Sequence, residues 1–341
     1  MAGKIDFVIP WVDGADPEWR AKKNKYKAFK QPSAEQLISS DDREMRYMDW
    51  GLLKYWFRGV EKYAPWVNHI YFVTDHQIPD WMNTSNPKLT VVFHEDYIPG
   101  KYLPTFATNT IELNFHRIKG LSEQFVYFND DMFITDDVKP KDFFWKGKPR
   151  DCAILNVKTF DSRETLGFSQ VVSTAIMNKY YDEKEVIRKN IFKWFTPVYG
   201  LNSLRTLLLM PWKRFPGFYI KHLPTNILKS TCSELWDKEY DMFDTACMHK
   251  IRDYNDVNQW IFGFWQICKG QFIPQRVGIG KAFTVGTSVE SDQIVCDSIT
   301  KRKYKLLCIG EDENVTDFDT SKKMLIKAFE TVLDQKSSFE K

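Results

Sequence analysis

Short apolar runs that end in turn-forming residues alternate with helical periodicity along the first half of the chain. Residues 5–12 form a β-branched and aromatic run that stops at the turn formers of residues 13–17. Apolar residues then recur at helical spacing over 44–63, and a second helical stretch follows over 107–118. Further strand-like runs occupy 67–74, 89–93 and 125–128. The alternation predicts an α/β fold with a mostly parallel sheet flanked by helices.

Acidic residues follow three of the predicted strands at their carboxyl ends. Asp13 and Asp16 follow the first strand, Asp75 follows the second, and the fourth runs directly into Asp130 and Asp131. Open parallel sheets bind ligands at this edge, so the acids could converge on one site. Turn and capping chemistry alone also places Asp in such loops, and this interpretation stays open.

The middle of the chain, residues 151–220, differs from the first half. Residues 178–193 are charged and helical, and residues 204–215 combine leucines with Trp, Phe and flanking Arg and Lys. Such a stripe can be a core helix, or it can lie at a bilayer interface or line a groove for a lipid-linked acceptor. We expect an α/β half over 1–150, a helical insertion in the middle, and a C-terminal half over 221–341 that completes the site.

Composition and charge exclude several classes of protein. The 341-residue chain has a net charge of only +3, which gives no general reason to expect a nucleic-acid partner. Its 16% aromatic content suits sugar stacking, a lipid interface or a large aromatic core. The six cysteines are scattered singly, which indicates free thiols in a reducing compartment. Neither a secretory pattern nor a run of about 18 apolar residues is present, so we expect a cytoplasmic protein.

Five arginine and histidine side chains are candidates for chemistry on phosphate and sugar groups. Arg43 and Arg46 lie three residues apart on a predicted helix and could clamp a phosphate, or could be exposed ion-pair partners. His222 precedes a rigid Leu-Pro turn, and His249 lies at a predicted helix start near Arg252. A histidine of near-neutral pKa is suited to accept a proton from a sugar hydroxyl, although a lone histidine is more often structural.

Absent motifs narrow the chemistry further. The chain has no phosphate-binding loop, dinucleotide fingerprint, nucleophile elbow or zincin motif. A hard divalent cation such as Mg²⁺ or Mn²⁺ prefers one or two carboxylates together with phosphate oxygens and water. Asp130 and Asp131 supply such carboxylates at a strand end, so metal-assisted transfer is the chemistry that remains.

Taken together, these segments resemble the Stealth family of hexose-1-phosphate transferases, which includes capsule-polysaccharide phosphotransferases and the lysosomal-enzyme GlcNAc-1-phosphotransferase. The opening IDFVIPWVDGADPEW is close to the family's DFVYTWVDGSDPEW. The resemblance covers most of the chain in four ordered blocks: 5–19; 42–47 with 60–67, 70–75, 77–79, 103–106, 111–112, 116–118, 120–123 and 127–133; 222–224 with 249–252 and 256–259; and 308–314. The last block departs from the family's CINDxEN, because Gly-Glu replaces Asn-Asp.

The resemblance implies a Rossmann-like, GT-A-like sheet and a role for each matching residue. His222 would be the general base and Arg252 would stabilise the transferred phosphoryl oxygens. Asp130, Asp131 and Glu311 would hold Mg²⁺ or Mn²⁺, with Asp312 as the alternative to Glu311. The nucleotide sugar would be bound by Asp13, Gly14, Arg43, Arg46 and Asn129.

The implied reaction transfers a sugar-1-phosphate from a UDP-sugar to a saccharide acceptor, which could be lipid-linked, and releases UMP. A metal-dependent glycosyltransferase on the same GT-A-like sheet would release UDP instead. A non-catalytic carbohydrate- or lipid-binding protein would need no metal and release no nucleotide. The expected place of action is the bacterial cytoplasm, with peripheral contact at the inner face of the membrane, in the synthesis of capsular or other cell-surface polysaccharide.

Overall fold

The computed structural model describes residues 3–27, 48–159, 165–253, 255–311, 315 and 317–341. Its strands are β1 (Ile5–Pro10), β2 (His69–Thr74), β3 (Leu89–Phe93), β4 (Gln124–Tyr127), β5 (Met132–Ile134), β6 (Phe144–Trp145), β7 (Lys148–Asp151), β8 (Thr225–Leu228), β9 (Ile273–Pro274), β10 (Gly280–Val285) and β11 (Leu306–Glu311). Its α-helices are α1 (Pro17–Lys27), α2 (Leu53–Tyr63), α3 (Thr108–Leu113), α4 (Pro140–Phe143), α5 (Thr165–Tyr180), α6 (Glu183–Lys189), α7 (Ile191–Trp194), α8 (Ser203–Leu209), α9 (Lys229–Lys238), α10 (Tyr240–Met248), α11 (Trp260–Cys268), α12 (Val289–Thr300) and α13 (Phe318–Val332).

The central sheet has the strand order β3-β2-β1-β4-β8. β1 lies in the middle and pairs in parallel with β2 and β4, while β8 joins the far side of β4 in the antiparallel sense. The four strands predicted in the first half of the chain form the parallel part of the sheet, in the order β3-β2-β1-β4. The predicted fold class, an α/β protein with a mostly parallel sheet, is confirmed. β8, from the C-terminal part of the chain, extends the sheet that the first half begins.

A second sheet, β10-β11-β5, lies next to the central one. β5 begins directly after Asp131, and β11 pairs with it antiparallel, so that Cys308 lies opposite Met132. β10 runs parallel to β11. The pairing brings the end of β11 next to the loop between β4 and β5, although nearly 180 residues separate the two segments along the chain. A third small sheet has the order β6-β7-β9.

Two hydrophobic clusters cover the two faces of the central sheet. Phe7 and Ile9 point into one cluster, and Val8 points into the other, because successive strand side chains face opposite ways. The first cluster includes side chains from α2, α13, β5 and β11. The second includes side chains from α9 and from α11, which is buried throughout its last eight residues. All six cysteines are buried and unbridged, as their scattered spacing predicts.

The described part of residues 151–220 is mainly helical and contains α5 to α8. The leucine stripe predicted over 204–215 falls on α8 and the turn that follows it. Leu204, Leu207 and Leu208 are exposed, so these three leucines do not belong to the core. Among the described residues, no helix is both long enough and apolar enough to cross a membrane.

A buried ion pair joins the C-terminus to α2. Both Arg58 and Glu340 are almost inaccessible, and the guanidinium Nε and a terminal nitrogen each lie 2.8 Å from a carboxylate oxygen of Glu340. The other terminal nitrogen donates to the Leu333 carbonyl at 2.9 Å. Burial alone would raise the pKa of Glu340, but the hydrogen bonds from Arg58 and Ser337, together with the charge of Arg58, outweigh burial and lower the pKa. The pair holds the last residues against the first hydrophobic cluster.

We expect Glu340→Ala to lower the free energy of unfolding by about 3 kcal/mol, because it leaves the Arg58 charge buried without its partner. A matched control is Asp297→Ala, which removes an exposed i,i+4 pair with Lys301 and should cost less than about 1 kcal/mol. Urea unfolding followed by circular dichroism measures both values. Equal losses in the two variants would contradict the structural role given to Arg58 and Glu340.

Candidate active site

A cavity of about 420 Å³ opens at the carboxyl ends of β1 and β4 and is completed by the end of β11 and by the segments before β8 and α11. It brings together eight of the residues selected from the sequence: Asp13, Gly14, Asn129, Asp130, Asp131, His222, Arg252 and Glu311. Arg43, Arg46 and Asp312 lie outside the described residues. The cavity is therefore the candidate site.

Backbone hydrogen bonds hold the loop Asn129–Asp131 from two sides. The Phe128 N–H donates to the Val8 carbonyl at 2.9 Å, which continues the β1–β4 pairing to the end of the strand. The Ile309 N–H donates to the Asp131 carbonyl at 2.8 Å, which ties the loop to β11. Because both neighbours are buried strands, the loop has little freedom to move relative to the cavity.

Asp131 has one carboxylate oxygen bonded and one without a partner. Its Oδ2 accepts from the Cys308 thiol at 3.2 Å, whereas its Oδ1 is buried and has no hydrogen bond from the described residues. Burial, followed by the charge of Asp131, raises the pKa of Cys308 far above its usual value, so the thiol stays protonated and donates. Single donor atoms of Asp131, His222 and Cys308 lie within 4.8 Å of one another. An unpartnered buried oxygen in such a cluster fits a divalent cation.

Asp130 and Glu311 add negative charge to the same end of the cavity. Asp130 is accessible from the cleft. The carboxyl group of Asp130 is nevertheless poorly solvated inside the cavity. This desolvation, together with the charges of Asp131 and Glu311, raises the pKa of Asp130 to about 7. The charges of Asp131 and Glu311 disfavour the ionisation of Asp130, and a bound cation relieves this repulsion. The arrangement therefore fits the Mg²⁺ or Mn²⁺ expected from the sequence.

Tyr127 connects Asn129 to the wall of the cavity. Its hydroxyl lies 2.7 Å from Glu112 Oε1 and also contacts the side-chain oxygen of Asn129. Glu112 Oε2 in turn accepts the backbone N–H of Gln259 at 3.2 Å. Burial raises the pKa of Glu112, although Tyr127 and the positive charge of Arg252 act in the opposite direction. These buried hydrogen bonds hold the side chain of Asn129 in place at the cavity.

Arg252 and His249 belong to one loop but have different surroundings. The Arg252 guanidinium donates to the Thr108 hydroxyl at 2.8 Å and lines the cavity. His249 Nδ1 lies 2.7 Å from the buried carboxylate of Asp256, and it is not among the residues that line the cavity. Asp256 also accepts the Asp253 N–H at 2.8 Å, so it shapes the loop that presents Arg252. Of the two candidate histidines, only His222 faces the site.

His222 lies on an irregular segment just before β8. Its backbone has a φ of 49°, in the left-handed region that non-glycine residues rarely adopt. The neighbouring Leu223 is buried, and the Trp260 ring contacts the imidazole edge to face at a centroid distance of 6.3 Å. These neighbours hold the imidazole at the cavity, near Asp131.

The acids that follow the first two strands separate into two groups. Asp13 lines the cavity, and its loop is held by Gln77, whose side chain accepts the Asp13 N–H at 2.8 Å and donates to the Asp13 carbonyl at 3.1 Å. Asp16 accepts the Glu18 N–H at 2.9 Å at the start of α1, and Asp75 pairs with Lys22 at 2.8 Å. Neither Asp16 nor Asp75 lines the cavity, and their described contacts are to neighbouring loop and helix residues.

Four residues of this region were not selected from the sequence as site residues: Glu112, Tyr127, Gln259 and Cys308. A signal existed for Tyr127, because it lies two residues before Asn129 and strand alternation places both on the same side. Glu112, Gln259 and Cys308 lie within segments that resemble the family, but nothing local distinguishes them from core or surface residues. The Oε1 atom of Gln259 is buried in the cavity wall without a hydrogen bond from the described residues, which marks it as a possible ligand contact.

The fold and the cavity define an α/β protein with an acidic ligand site at the ends of its parallel strands. Two family profiles match this chain: "Stealth protein CR1, conserved region 1" at residues 3–28, and "Stealth protein CR2, conserved region 2" at residues 46–151. Full-length relatives also match, at identities near 40%. The chain belongs to the Stealth family.

Three curated relatives illustrate this similarity. "Capsular polysaccharide phosphotransferase WcwK" of Streptococcus pneumoniae is 40% identical over 99% of this chain and 98% of its own length. "Receptor polysaccharide phosphotransferase WefC" of Streptococcus oralis is 39% identical over 99% of both chains. "Exopolysaccharide phosphotransferase cps2G" of Lactiplantibacillus plantarum is 38% identical over 99% of this chain and 96% of its own.

Solved structures give only distant matches. The apo structure of the bifunctional glycosyltransferase WbbM has a TM-score of 0.42 at 9% identity and covers 97% of this chain and 50% of its own. The galactosyltransferase LgtC, in complex with donor and acceptor sugar analogues, has a TM-score of 0.39 at 8% identity and covers 94% and 95%. The family membership therefore rests on the sequence relatives.

The raised pKa of Asp130 predicts how metal affinity depends on pH. A carboxyl group with a pKa of about 7 carries a proton below that pH, and a cation must displace this proton to bind. We expect the affinity for Mn²⁺ to fall by up to about tenfold per pH unit below pH 7 and to level off above it. Isothermal titration calorimetry between pH 5.5 and 8 measures the slope.

The variant Asp130→Asn should bind Mn²⁺ more weakly above pH 7 and should show a flatter pH dependence. Asp137→Asn, which alters an exposed acid outside the cavity, should behave like the unmodified protein. An unchanged slope in Asp130→Asn would show that Asp130 is not the titrating group.

Proposed function

We propose that the protein transfers a hexose-1-phosphate, such as GlcNAc-1-phosphate, from a UDP-sugar to a hydroxyl group of an acceptor saccharide. The acceptor oxygen forms a bond to the β-phosphorus, the bond between that phosphorus and the bridging oxygen breaks, and UMP leaves. The single observation that carries the proposal is one cavity that combines a carboxylate cluster with His222 and Arg252. The names of the relatives, which are polysaccharide phosphotransferases, support phosphotransfer in particular.

The donor end of the site is assigned to the ends of β1, β4 and β11. Asp130, Asp131 and Glu311 would hold Mg²⁺ or Mn²⁺, which when bound neutralises charge on the diphosphate and on the departing UMP. Asp13, Gly14 and Asn129 would contact the nucleotide sugar from the two loops that are fixed by Gln77 and Tyr127. Arg43 and Arg46 are proposed as further phosphate ligands, on the resemblance alone.

The acceptor end is assigned to His222 and Arg252. The imidazole of His222 accepts the proton of the attacking hydroxyl, so the oxygen becomes a better nucleophile as the bond to phosphorus forms. The nearby carboxylate of Asp131 stabilises the imidazolium that results. Arg252, oriented by Thr108, donates hydrogen bonds to the phosphoryl oxygens as negative charge shifts during transfer.

The released nucleotide distinguishes this reaction from its rivals. With Mn²⁺ and a panel of UDP-sugars, we expect UMP to accumulate and the product to give the phosphorus NMR signal of a diester. Release of UDP without a diester would indicate a glycosyltransferase. If no nucleotide is released from any donor with any saccharide acceptor, and sugar binding is insensitive to chelators, the protein is a binding protein.

Substitution of the proposed base tests the mechanism. We expect His222→Ala to lower kcat by roughly 10²–10⁴-fold while the KM for the UDP-sugar changes little, because the imidazole acts only as the hydroxyl is deprotonated. His76→Ala, at an exposed histidine outside the cavity, is the matched control and should keep full turnover. Full turnover by His222→Ala would refute the base assignment.

The role of Asp131 is tested by its metal requirement. We expect Asp131→Asn to need a concentration of Mn²⁺ about 10-fold or more higher for half-maximal turnover, because it loses the carboxylate with the unpartnered buried oxygen. The same Asp137→Asn control should leave the metal requirement unchanged. Unaltered metal dependence in Asp131→Asn would remove Asp131 from the metal site.

A further inference from the structure

The short helix α8 has its polar and apolar residues in the reverse of the usual arrangement. Thr206 is completely buried, whereas Leu204, Leu207 and Leu208 have 52%, 56% and 72% of their surface exposed. Leu207 and Leu208 lie three and four positions after Leu204, so the three leucines share one side of the helix. A helix of a globular protein normally directs such a leucine stripe into the core. Here the stripe faces away from the protein.

The apolar surface continues on both sides of α8. Leu201, which lies just before the helix, is 84% exposed, and Trp212, which lies just after it, is 53% exposed. We call Leu201, Leu204, Leu207, Leu208 and Trp212 the apolar face. A cluster of large exposed side chains within twelve consecutive residues is unusual for a surface that contacts only water, and it marks an interaction site.

Specific hydrogen bonds fix the segment to the protein, so the exposure is part of the fold. The Tyr199 hydroxyl accepts the buried Ala153 N–H at 3.0 Å, and the Thr206 hydroxyl accepts the Leu155 N–H at 3.1 Å. Arg205 donates to the Asn156 side chain at 3.0 Å. The segment therefore docks through its polar groups and presents its leucines outward.

The charge around the apolar face is of one sign. Residues 186–233 contain eight Lys and Arg and no Asp or Glu, so the rest of the chain has a net charge of −5. Arg205, Lys213 and Arg214 are exposed and lie next to residues of the apolar face along the chain. The exposed leucines thus lie on a segment that carries positive charge and no acid.

We propose that the apolar face and its flanking basic residues bind the surface of an anionic lipid bilayer. Leucine and tryptophan side chains can enter the boundary between headgroups and acyl chains, while Lys and Arg contact anionic headgroups. A second copy of this chain fits less well, because a symmetric contact would place Arg205, Lys213 and Arg214 against their own counterparts.

The location of the surface also bears on the acceptor, and this step rests on the proposed function. His222 follows Trp212 by only ten positions, and the buried Phe215 and Phe218 anchor the chain between them. Ten residues span at most about 35 Å even when fully extended. A bound bilayer would therefore lie within that distance of the proposed base, where a saccharide carried on a lipid could reach the cavity.

Flotation of the full chain with vesicles tests the binding directly and needs no turnover. We expect it to float with vesicles of phosphatidylcholine and phosphatidylglycerol in a 7:3 ratio, and to bind pure phosphatidylcholine at least about tenfold more weakly. The double variant Leu207→Gln/Leu208→Gln should reduce partitioning onto the anionic vesicles by about tenfold or more. Val289→Gln/Ile294→Gln, at apolar residues that are 56% and 59% exposed on α12, is the matched control and should change nothing.

The electrostatic part is tested by Lys213→Gln/Arg214→Gln, with Lys323→Gln/Lys327→Gln as the control for lost charge. We expect the first pair alone to weaken partitioning onto anionic vesicles by about tenfold, and we expect added salt to remove the difference. All four side chains are exposed. Thermal unfolding of both variants should therefore match that of the unmodified protein, so a loss of binding cannot be ascribed to a loss of fold.

Three results would overturn the proposal: no flotation with either vesicle, equal flotation of the Leu207/Leu208 variant, or a dimer in light scattering that this variant abolishes while vesicles do not bind. Assays of UMP release with a soluble saccharide acceptor separate the membrane-binding proposal from the proposed transferase function. Turnover without vesicle binding would refute only the membrane surface, whereas vesicle binding without turnover on any acceptor would refute only the transferase.

Discussion

The site depends on how the loop Asn129–Asp131 is held between two sheets. Its first side is bound by the hydrogen bond from Phe128 to Val8 on the central strand, and its second by the hydrogen bond from Ile309 to Asp131. Each bond joins the loop to a strand that is buried and paired on both edges. The backbone of the loop is thereby fixed, and although Asp131 Oδ2 accepts from the Cys308 thiol, Asp131 Oδ1 is left available for a ligand.

This arrangement brings the carboxyl groups of Asp130, Asp131 and Glu311 into one cavity. Neighbouring groups determine how these acids and the nearby Glu112 are bonded and ionised. One carboxylate oxygen of Asp131 accepts a hydrogen bond from the protonated Cys308 thiol. Burial and the neighbouring acids raise the pKa of Asp130. Arg252 also lines the cavity, and its charge lowers the pKa of Glu112 against the effect of burial. A cavity that combines a carboxylate cluster with an imidazole and a guanidinium suits a ligand that carries a diphosphate and a hydroxyl group.

Helix α8 shows that local pattern and tertiary role can diverge. The same leucine periodicity is compatible with a core helix and with an interfacial helix, because periodicity reports only that one side is apolar. Which side faces the protein is decided by Tyr199 and Thr206, whose hydroxyls satisfy backbone N–H groups of the stretch 153–155. Those bonds turn α8 so that its leucines face outward.

The sequence by itself determined the first four strands, the presence of helices between them, the fold class, and the motif residues that the cavity contains, because these follow from periodicity and from contiguous segments that resemble the family. Only the tertiary structure decided that Tyr127 and Cys308 support the site, that His249 pairs with Asp256 outside it, and that Asp75 pairs with Lys22. Such contacts join residues far apart in the chain. They depend on how the two sheets pair and pack, and no local pattern encodes those distances.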